Sequence, residues 1–334
     1  MKKKSIPFVI AYDFDGTLAP GNMQERNFIP AIKMTKKAFW KEVGDLSKKH
    51  GADNILIYMM LMLRKASQAQ VPVHRNNFVS FGKDLEFFEG VLPAVRGDKT
   101  EKGWFDRINS YGKHSGVAVQ HFVVSSGIGE MVAGTPIAKK FKAVYASSFC
   151  YDHNDLAFWP AQVLNFTTKT QYLFRINKGC LDVHDKGINT YIPDEDRPFP
   201  FSNMVYIGDG DTDIPCFRLV KDRGGNSIAV FPPRTKGARD KSTGLLKDGR
   251  INFVAPADYR DGGPVDKIIK ALIDKVSSDA YVNSLKPSKG VLNKKSVSPA
   301  KKPSAPVAAK TQIAESAADA MATPSIKAAP SEGV

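Results

Sequence analysis

An apolar stretch, Ile6 to Ala11, runs almost directly into Asp13-Phe14-Asp15-Gly16-Thr17-Leu18. A continuous apolar run this short reads as a strand covered on both faces, the setting of parallel strands in a sheet flanked by helices. Ligands of such sheets bind beyond the carboxyl ends of the strands. The two carboxylates therefore stand where an open α/β sheet does its chemistry. The bland alternative for the hexapeptide is a strand-end loop whose Asp pair caps a turn.

Five more runs have the same character: Val117–Val124, Ala143–Ala146, Met204–Ile207, Ser227–Val230 and Ile251–Val254. Helical patterns lie between them. Trp104, Ile108 and Tyr111 recur at i, i+4, i+7, and the stretch from Pro264 to Val276 opens with proline in its first turn. Alternation of this kind predicts a doubly wound, Rossmann-like α/β fold with a parallel sheet. From about Asn22 to Glu89 the rhythm changes to helix alone. Phe39, Val43 and Leu46 mark one amphipathic helix; Asp53 caps a second over Asn54 to Gln70; Phe78, Phe81, Leu85 and Phe88 mark a third. The expected organisation is a core over 5–20 and 91–280, a helical cap over 21–90, and a tail over 285–334. Ala19-Pro20-Gly21 and Gly90-Val91-Leu92-Pro93 are the candidate hinges.

The tail lacks aromatics and is rich in Ala, Ser, Pro and Lys, a composition that buries too little apolar surface to order itself. With eight Lys against three acidic residues it carries +5 of the net +14. The remaining surplus favours acidic partners, phosphorylated ones included, without selecting nucleic acid. Three cysteines, Cys150, Cys180 and Cys216, have no metal-site spacing and leave one over if paired. Free thiols in a cytoplasmic setting are expected. The N-terminal Lys-rich stretch reads as the lead-in to a buried strand and not as a signal peptide, and no apolar run is long enough to span a bilayer.

Four segments bring polar groups to the strand ends. In the first, an ionised Asp13 can attack phosphorus while Asp15 protonates the leaving oxygen and later activates water. Gly16 permits an unusual turn, and the Thr17 hydroxyl is available to the loop or to a phosphate. Two neighbouring anions require a divalent cation. The second segment, Val124-Ser125-Ser126-Gly127 before a helical start at Ile128, is a phosphate cradle of hydroxyls and backbone N–H groups. Taken alone it is also an ordinary turn. The third is Thr168 with Gln171, read as a capping box that sets Lys169 in a first helical turn, where a bound phosphate would offset its charge. A solvated lysine is the rival reading. The fourth, Gly208-Asp209-Gly210-Asp211-Thr212-Asp213, offers hard oxygen ligands in a glycine-rich turn, suited to Mg²⁺. Asp209 is the leading ligand, Asp213 binds through water or braces Lys169, and Asp211 is open.

Asp-Phe-Asp-Gly-Thr, Ser125, Lys169 and Gly-Asp-Gly-Asp-Thr-Asp, in this order, resemble the four motifs of the haloacid dehalogenase superfamily, and the Ser-Ser-Gly segment with the early helical insert is similar to its phosphoserine phosphatase branch. The resemblance implies Asp13 as nucleophile and Asp15 as acid/base. It also implies Ser125 and Lys169 as phosphate holders, with the Ser126, Gly127 and Thr17 positions around them. Mg²⁺ would be held by Asp13, Asp209 and the carbonyl of Asp15, with Asp213 assisting. Where that branch has a substrate-binding Glu, this chain has Asn22, and its nearest Glu is Glu25. The expected activity is Mg²⁺-dependent hydrolysis of a small phosphomonoester through a phospho-aspartate. A phosphatase on nucleic-acid ends or another polyanion and a non-catalytic binding module are the two alternatives. The histidines, the Met-rich helix around Met59 and the arginines Arg64 and Arg75 are read as structural or solvated. Phe158-Trp159-Pro160 is read as core, with the substrate pocket as its other possible place.

Overall fold

A computed structural model of the chain describes residues 5–96 and 99–286. The tail expected from 285 onward lies outside these residues beyond Lys286. The first strand, β1 (Ile6–Tyr12), is followed by four helices: α1 (Phe28–Ala31), α2 (Lys36–His50), α3 (Asn54–Ala69) and α4 (Arg75–Phe81). A small antiparallel pair, β2 (Ala94–Arg96) and β3 (Lys99–Glu101), precedes α5 (Trp104–His114), β4 (Val117–Ile128) and α6 (Gly129–Ala133). Then come β5 (Ala143–Tyr151), β6 (Ala157–Gln162), α7 (Phe166–Lys178), β7 (Met204–Gly208), α8 (Ile214–Asp222), β8 (Asn226–Phe231), α9 (Ala238–Lys247), β9 (Phe253–Pro256) and α10 (Pro264–Ser284).

The main sheet has seven strands in the order β6-β5-β4-β1-β7-β8-β9. All neighbours are parallel except β5 and β6. The chain therefore folds as a doubly wound α/β sheet with one antiparallel edge. Central β1 and β7 are buried on both faces, and each Val or Ile in them contributes roughly 1.5–3 kcal/mol by leaving water. Because β1 lies between β4 and β7, the carboxyl ends of three strands meet where the order reverses, as ligand sites of this fold require.

The expected strands are all present, with adjusted limits. β4 continues through Ser125-Ser126-Gly127 to Ile128, its pairing with β5 slipping between Ser125 and Ile128. That irregularity swallows the turn expected after Val124, and the helix begins at Gly129. β9 lies two residues later than expected at its start. The edge strand β6 was not expected at all, because Pro160 and the exposed Phe158 and Trp159 break the buried-strand pattern. Those aromatics are neither core nor pocket wall: Phe158 is 59% and Trp159 62% exposed.

Between β1 and β2 the regular elements are helices, with turns and irregular segments around them. Thr35 caps α2 by accepting from Ala38 N–H, and Gly51 closes it in the left-handed region. Asp53 caps α3, accepting from Ile55 and Leu56 N–H at 2.7 and 3.2 Å. The third helix stops at Phe81; Leu85 and Phe88 lie in the irregular segment after Gly82. The insert shares one hydrophobic core with the sheet, since Phe28, Phe39, Met59 and Phe78 cluster with Ile10, Tyr12 and Ile207. Backbone bonds also tie it to the β5–β6 turn: Ala157 N–H donates to Val73 O, and Arg75 N–H to Asp155 O. These anchors hold α3 over the ends of β1 and β4.

Candidate active site

Hydrogen bonding carries the first carboxylate past the end of β1. Asp13 N–H donates to Ile207 O at 2.8 Å, so Asp13 stays in line with β7, and Phe14 N–H donates to Asp13 Oδ1 at 2.7 Å. The chain then turns sharply, with Gly16 N–H on Ala19 O and Leu18 N–H on Phe14 O. Gly16 has φ +71°, and a Cβ there would lie 2.0 Å from Asp209 Oδ2. Only glycine permits both the turn and the approach of Asp209. Asp15 turns the other way, its Oδ1 accepting from Met23 N–H at 2.9 Å at the start of the insert.

Ser125 reaches Asp13 from the bulged end of β4. Its hydroxyl hydrogen-bonds the Asp13 carboxylate and its oxygen accepts from Gly127 N–H at 3.1 Å. A side chain at Gly127 would meet Met23 and come within 3.0 Å of Asp15 Oδ2, so this strand end also needs a bare backbone. Ser126 O accepts from Tyr58 OH at 2.6 Å, which joins α3 to the site.

Lys169 is fully buried behind Asp13. Its Nζ lies 3.2 Å from Asp13 Oδ2 and 2.8 Å from Asp213 Oδ1. The solvated reading of this lysine is excluded. The helix that carries it does not start at Thr168 as its sequence suggests. Asn165 is the N-cap and Thr168 the third helical residue, its Oγ1 accepting from Asn165 N–H at 2.7 Å. The capping signal was one turn out of phase because Asn165 and Thr168 offer the same i, i+3 spacing as Thr168 and Gln171.

The turn after β7 separates its three carboxylates. Asp213 is completely buried and fully subscribed: Oδ1 accepts from Lys169 and Tyr206 OH, Oδ2 from Asp209 and Gly210 N–H. Asp211 points to solvent and pairs with Lys241 at 3.1 Å. Asp209 faces the site. Carboxylate oxygens of Asp13, Asp209 and Asp213 lie within 4.8 Å of one another, a donor set of hard oxygens that fits a divalent cation. With Asp213 saturated by protein donors, Asp13 and Asp209 are the carboxylates with oxygens to offer.

Burial, then the charge of Asp213, pushes Asp13 up to about 6, against the pull of Lys169. Burial, then the Asp13 charge, holds Asp15 well above the usual carboxylate range. Burial and the charges of Asp213 and Asp13 bring Asp209 to about 8. For Lys169, burial acts to lower the value, but Asp13 and Asp213 outweigh it and hold the ammonium in its charged form. The site therefore holds an excess of carboxyl groups over its single cation.

Asp13, Asp15, Ser125, Ser126, Gly127 and Asp209 line a cavity of about 480 Å³. Thr17 does not line it; its hydroxyl is buried and without a hydrogen-bond partner, while its carbonyl accepts from Tyr259 OH. Residues 10–218 match the model of the haloacid dehalogenase-like hydrolases. The chain belongs to this family. Along most of its length this haloacid dehalogenase-like hydrolase is also similar to an uncharacterized protein of Borreliella burgdorferi, 28% identical over 83% of this chain and 99% of the other. Among solved structures it is similar to a HAD family hydrolase from Salmonella enterica serovar Typhi, with TM-score 0.46, 14% identity, and 72% and 67% of the two chains covered. A phosphoserine phosphatase solved as a phospho-aspartyl intermediate analogue gives TM-score 0.43, 16% identity, and 75% and 93% coverage.

Sequence reasoning missed the opposite wall of the cavity. Asn22, Gln24, Trp40, Asn54, Tyr58 and Phe88 line it, all from the insert. One signal was available: Tyr58 is a phenol within the apolar run Ile55 to Leu63, and a buried hydroxyl must find a partner. Arg64 and Arg75 are absent from this wall; they pair with Glu42 and Asp155. No helix among the described residues is long and apolar enough to cross a membrane.

Proposed function

We propose that this hydrolase is a Mg²⁺-dependent phosphomonoesterase that works through a phospho-aspartate at Asp13. The observation that carries the reading is the Lys169 ammonium, buried between Asp13 and Asp213, with the Ser125 hydroxyl also on the Asp13 carboxylate. One carboxylate is thus presented with two phosphate-binding donors. In the first step an Asp13 carboxylate oxygen forms a bond to phosphorus, the bond from phosphorus to the ester oxygen breaks, and Asp15 gives that oxygen its proton. In the second, water attacks phosphorus, its proton returns to Asp15, and the phosphorus–Asp13 bond breaks to release inorganic phosphate. Ser125 and Lys169 hold the phosphoryl oxygens, with the Ser126 and Gly127 backbone beside them. A cation held by Asp13 and Asp209, and by the Asp15 carbonyl, would neutralise charge on the phosphoryl group; Asp213 braces Lys169 and the turn.

The helical insert over 21–90, placed directly after β1, supports the phosphoserine phosphatase-like branch and a cap that shields the site from bulk water. A cytoplasmic setting suits the free Cys150, Cys180 and Cys216. Among the described residues the cavity wall carries no cation for a second phosphate, which argues against nucleic-acid ends as substrate. Phosphate release from p-nitrophenyl phosphate tests the reading. Activity with Mg²⁺ should vanish in chelator and fall by at least about 10³-fold in Asp13→Asn and Asp15→Asn. Undiminished turnover in Asp13→Asn refutes the covalent route.

A further inference from the structure

The wall facing Asp13 decides which alcohol the phosphate arrives on, and among the described residues that wall contains no ionised side chain. It is made of the amides of Asn22, Gln24 and Asn54 and the rings of Trp40, Tyr58 and Phe88. Glu25, Arg26 and Arg64 of the insert are engaged elsewhere. Glu25 accepts from Trp40 Nε1 at 2.8 Å and from Asn22 Nδ2 at 2.9 Å, and is not part of the cavity lining. Arg26 pairs with Glu86 at 2.6 Å, and Arg64 with Glu42 at 2.7 Å.

The same wall has hydrogen-bonding capacity left over. Gln24 is 2% exposed; its amide meets the Tyr58 hydroxyl and its Oε1 is left without a partner. The Ser126 hydroxyl, on the floor between Asp13 and α3, is buried and also without one. Native proteins rarely leave buried acceptors unmet, so such atoms gathered at one cavity call for a ligand that brings donors. Indole and phenol rings beside amides suit a compact neutral ring system bearing hydroxyls or N–H groups.

We propose, resting on the phosphatase reading, that the leaving group is an uncharged alcohol rich in hydroxyl or N–H donors, the chemistry shared by sugar phosphates and nucleoside monophosphates. Phosphoserine does not meet it. Its carboxylate would be taken from water against a wall with no cation to pair with, and its ammonium would meet neutral amides in place of a counter-charge.

The test measures phosphate release by the full chain with Mg²⁺ from four esters: p-nitrophenyl phosphate, a hexose 6-phosphate, a nucleoside 5′-monophosphate and O-phospho-L-serine. The better of the hexose and nucleoside esters should exceed phosphoserine by more than about tenfold in kcat/KM, and the comparison of those two arms identifies the source of the alcohol. Phosphoserine within tenfold of the better one, or turnover of p-nitrophenyl phosphate alone, overturns the proposal and leaves the phosphatase reading standing. Failure of all four esters refutes both. Gln24→Ala should lower kcat/KM for the preferred ester, relative to p-nitrophenyl phosphate, by about tenfold. Gln24→Met keeps the side-chain length without the acceptor in case the smaller residue disturbs folding, and should shift the same ratio in the same direction. An unchanged ratio in both variants also overturns the proposal.

Discussion

Replacing Lys169 by methionine keeps most of the apolar stem and removes one charge from the most crowded electrostatic position in the molecule. The ammonium lies 3.2 Å from Asp13 and 2.8 Å from Asp213, with its own side chain and that of Asp213 at 0% exposure, so water screens the carboxylates poorly once it is gone. Breaking a buried ion pair from one side costs about 3–5 kcal/mol, because a charge is left uncompensated. Here two are left, with Asp209 nearby. Against a typical folding free energy of about 5–15 kcal/mol, the variant should lose a large share of its stability. Urea unfolding in chelator measures the loss. Asp213→Asn alone should also destabilise, but Lys169→Met with Asp213→Asn should cost at least about 1 kcal/mol less than the two single costs added together. A Lys169→Met cost under about 1 kcal/mol, or strict additivity in the double variant, would show that the ammonium does not neutralise this pair, and the account of the site would fail with it.

Two further perturbations probe the turn and the core. Gly16→Ala forces an L side chain to φ +71° and into Asp209, so it should cost at least about 1–2 kcal/mol in thermal unfolding and displace Asp209. Its Mg²⁺ affinity, measured by calorimetry, should fall at least about tenfold, and wild-type affinity would contradict the packing described. His121 is buried, accepting from Tyr12 OH at 2.9 Å and facing Asn109 Oδ1 at 3.0 Å, and burial pushes its imidazole down to about 3. The folded value lies below the unfolded one, so this contribution is complete above pH 6.5 and is lost as pH falls toward 3. Between pH 7.5 and 5 it should remove about 2 kcal/mol of stability, read as the difference in urea unfolding between wild type and His121→Gln. Parallel pH profiles for the two proteins would rule the buried neutral histidine out.

The sequence by itself determined which polar residues stand at the strand ends. Apolar runs too short for anything but buried strands located β1, β4 and β7, and the polar residues at their carboxyl ends had no place to go except one edge of one sheet. That Asp13, Asp15, Ser125 and Asp209 share one cavity was legible for that reason. Lys169 was legible only by its order in the chain, since helical phase, set by Asn165 and not Thr168, decides whether a lysine faces solvent or a carboxylate. Asp211 and Asp213 were indistinguishable in one dimension. Two positions apart in a tight turn, one finds Tyr206, Lys169 and two backbone N–H groups, and the other finds water and Lys241. The neutral wall of the cavity was the least legible part. Asn22, Gln24, Trp40 and Tyr58 share no motif or period; they converge because the insert packs its helices into the same core as the sheet, and that convergence is a property of tertiary contact alone.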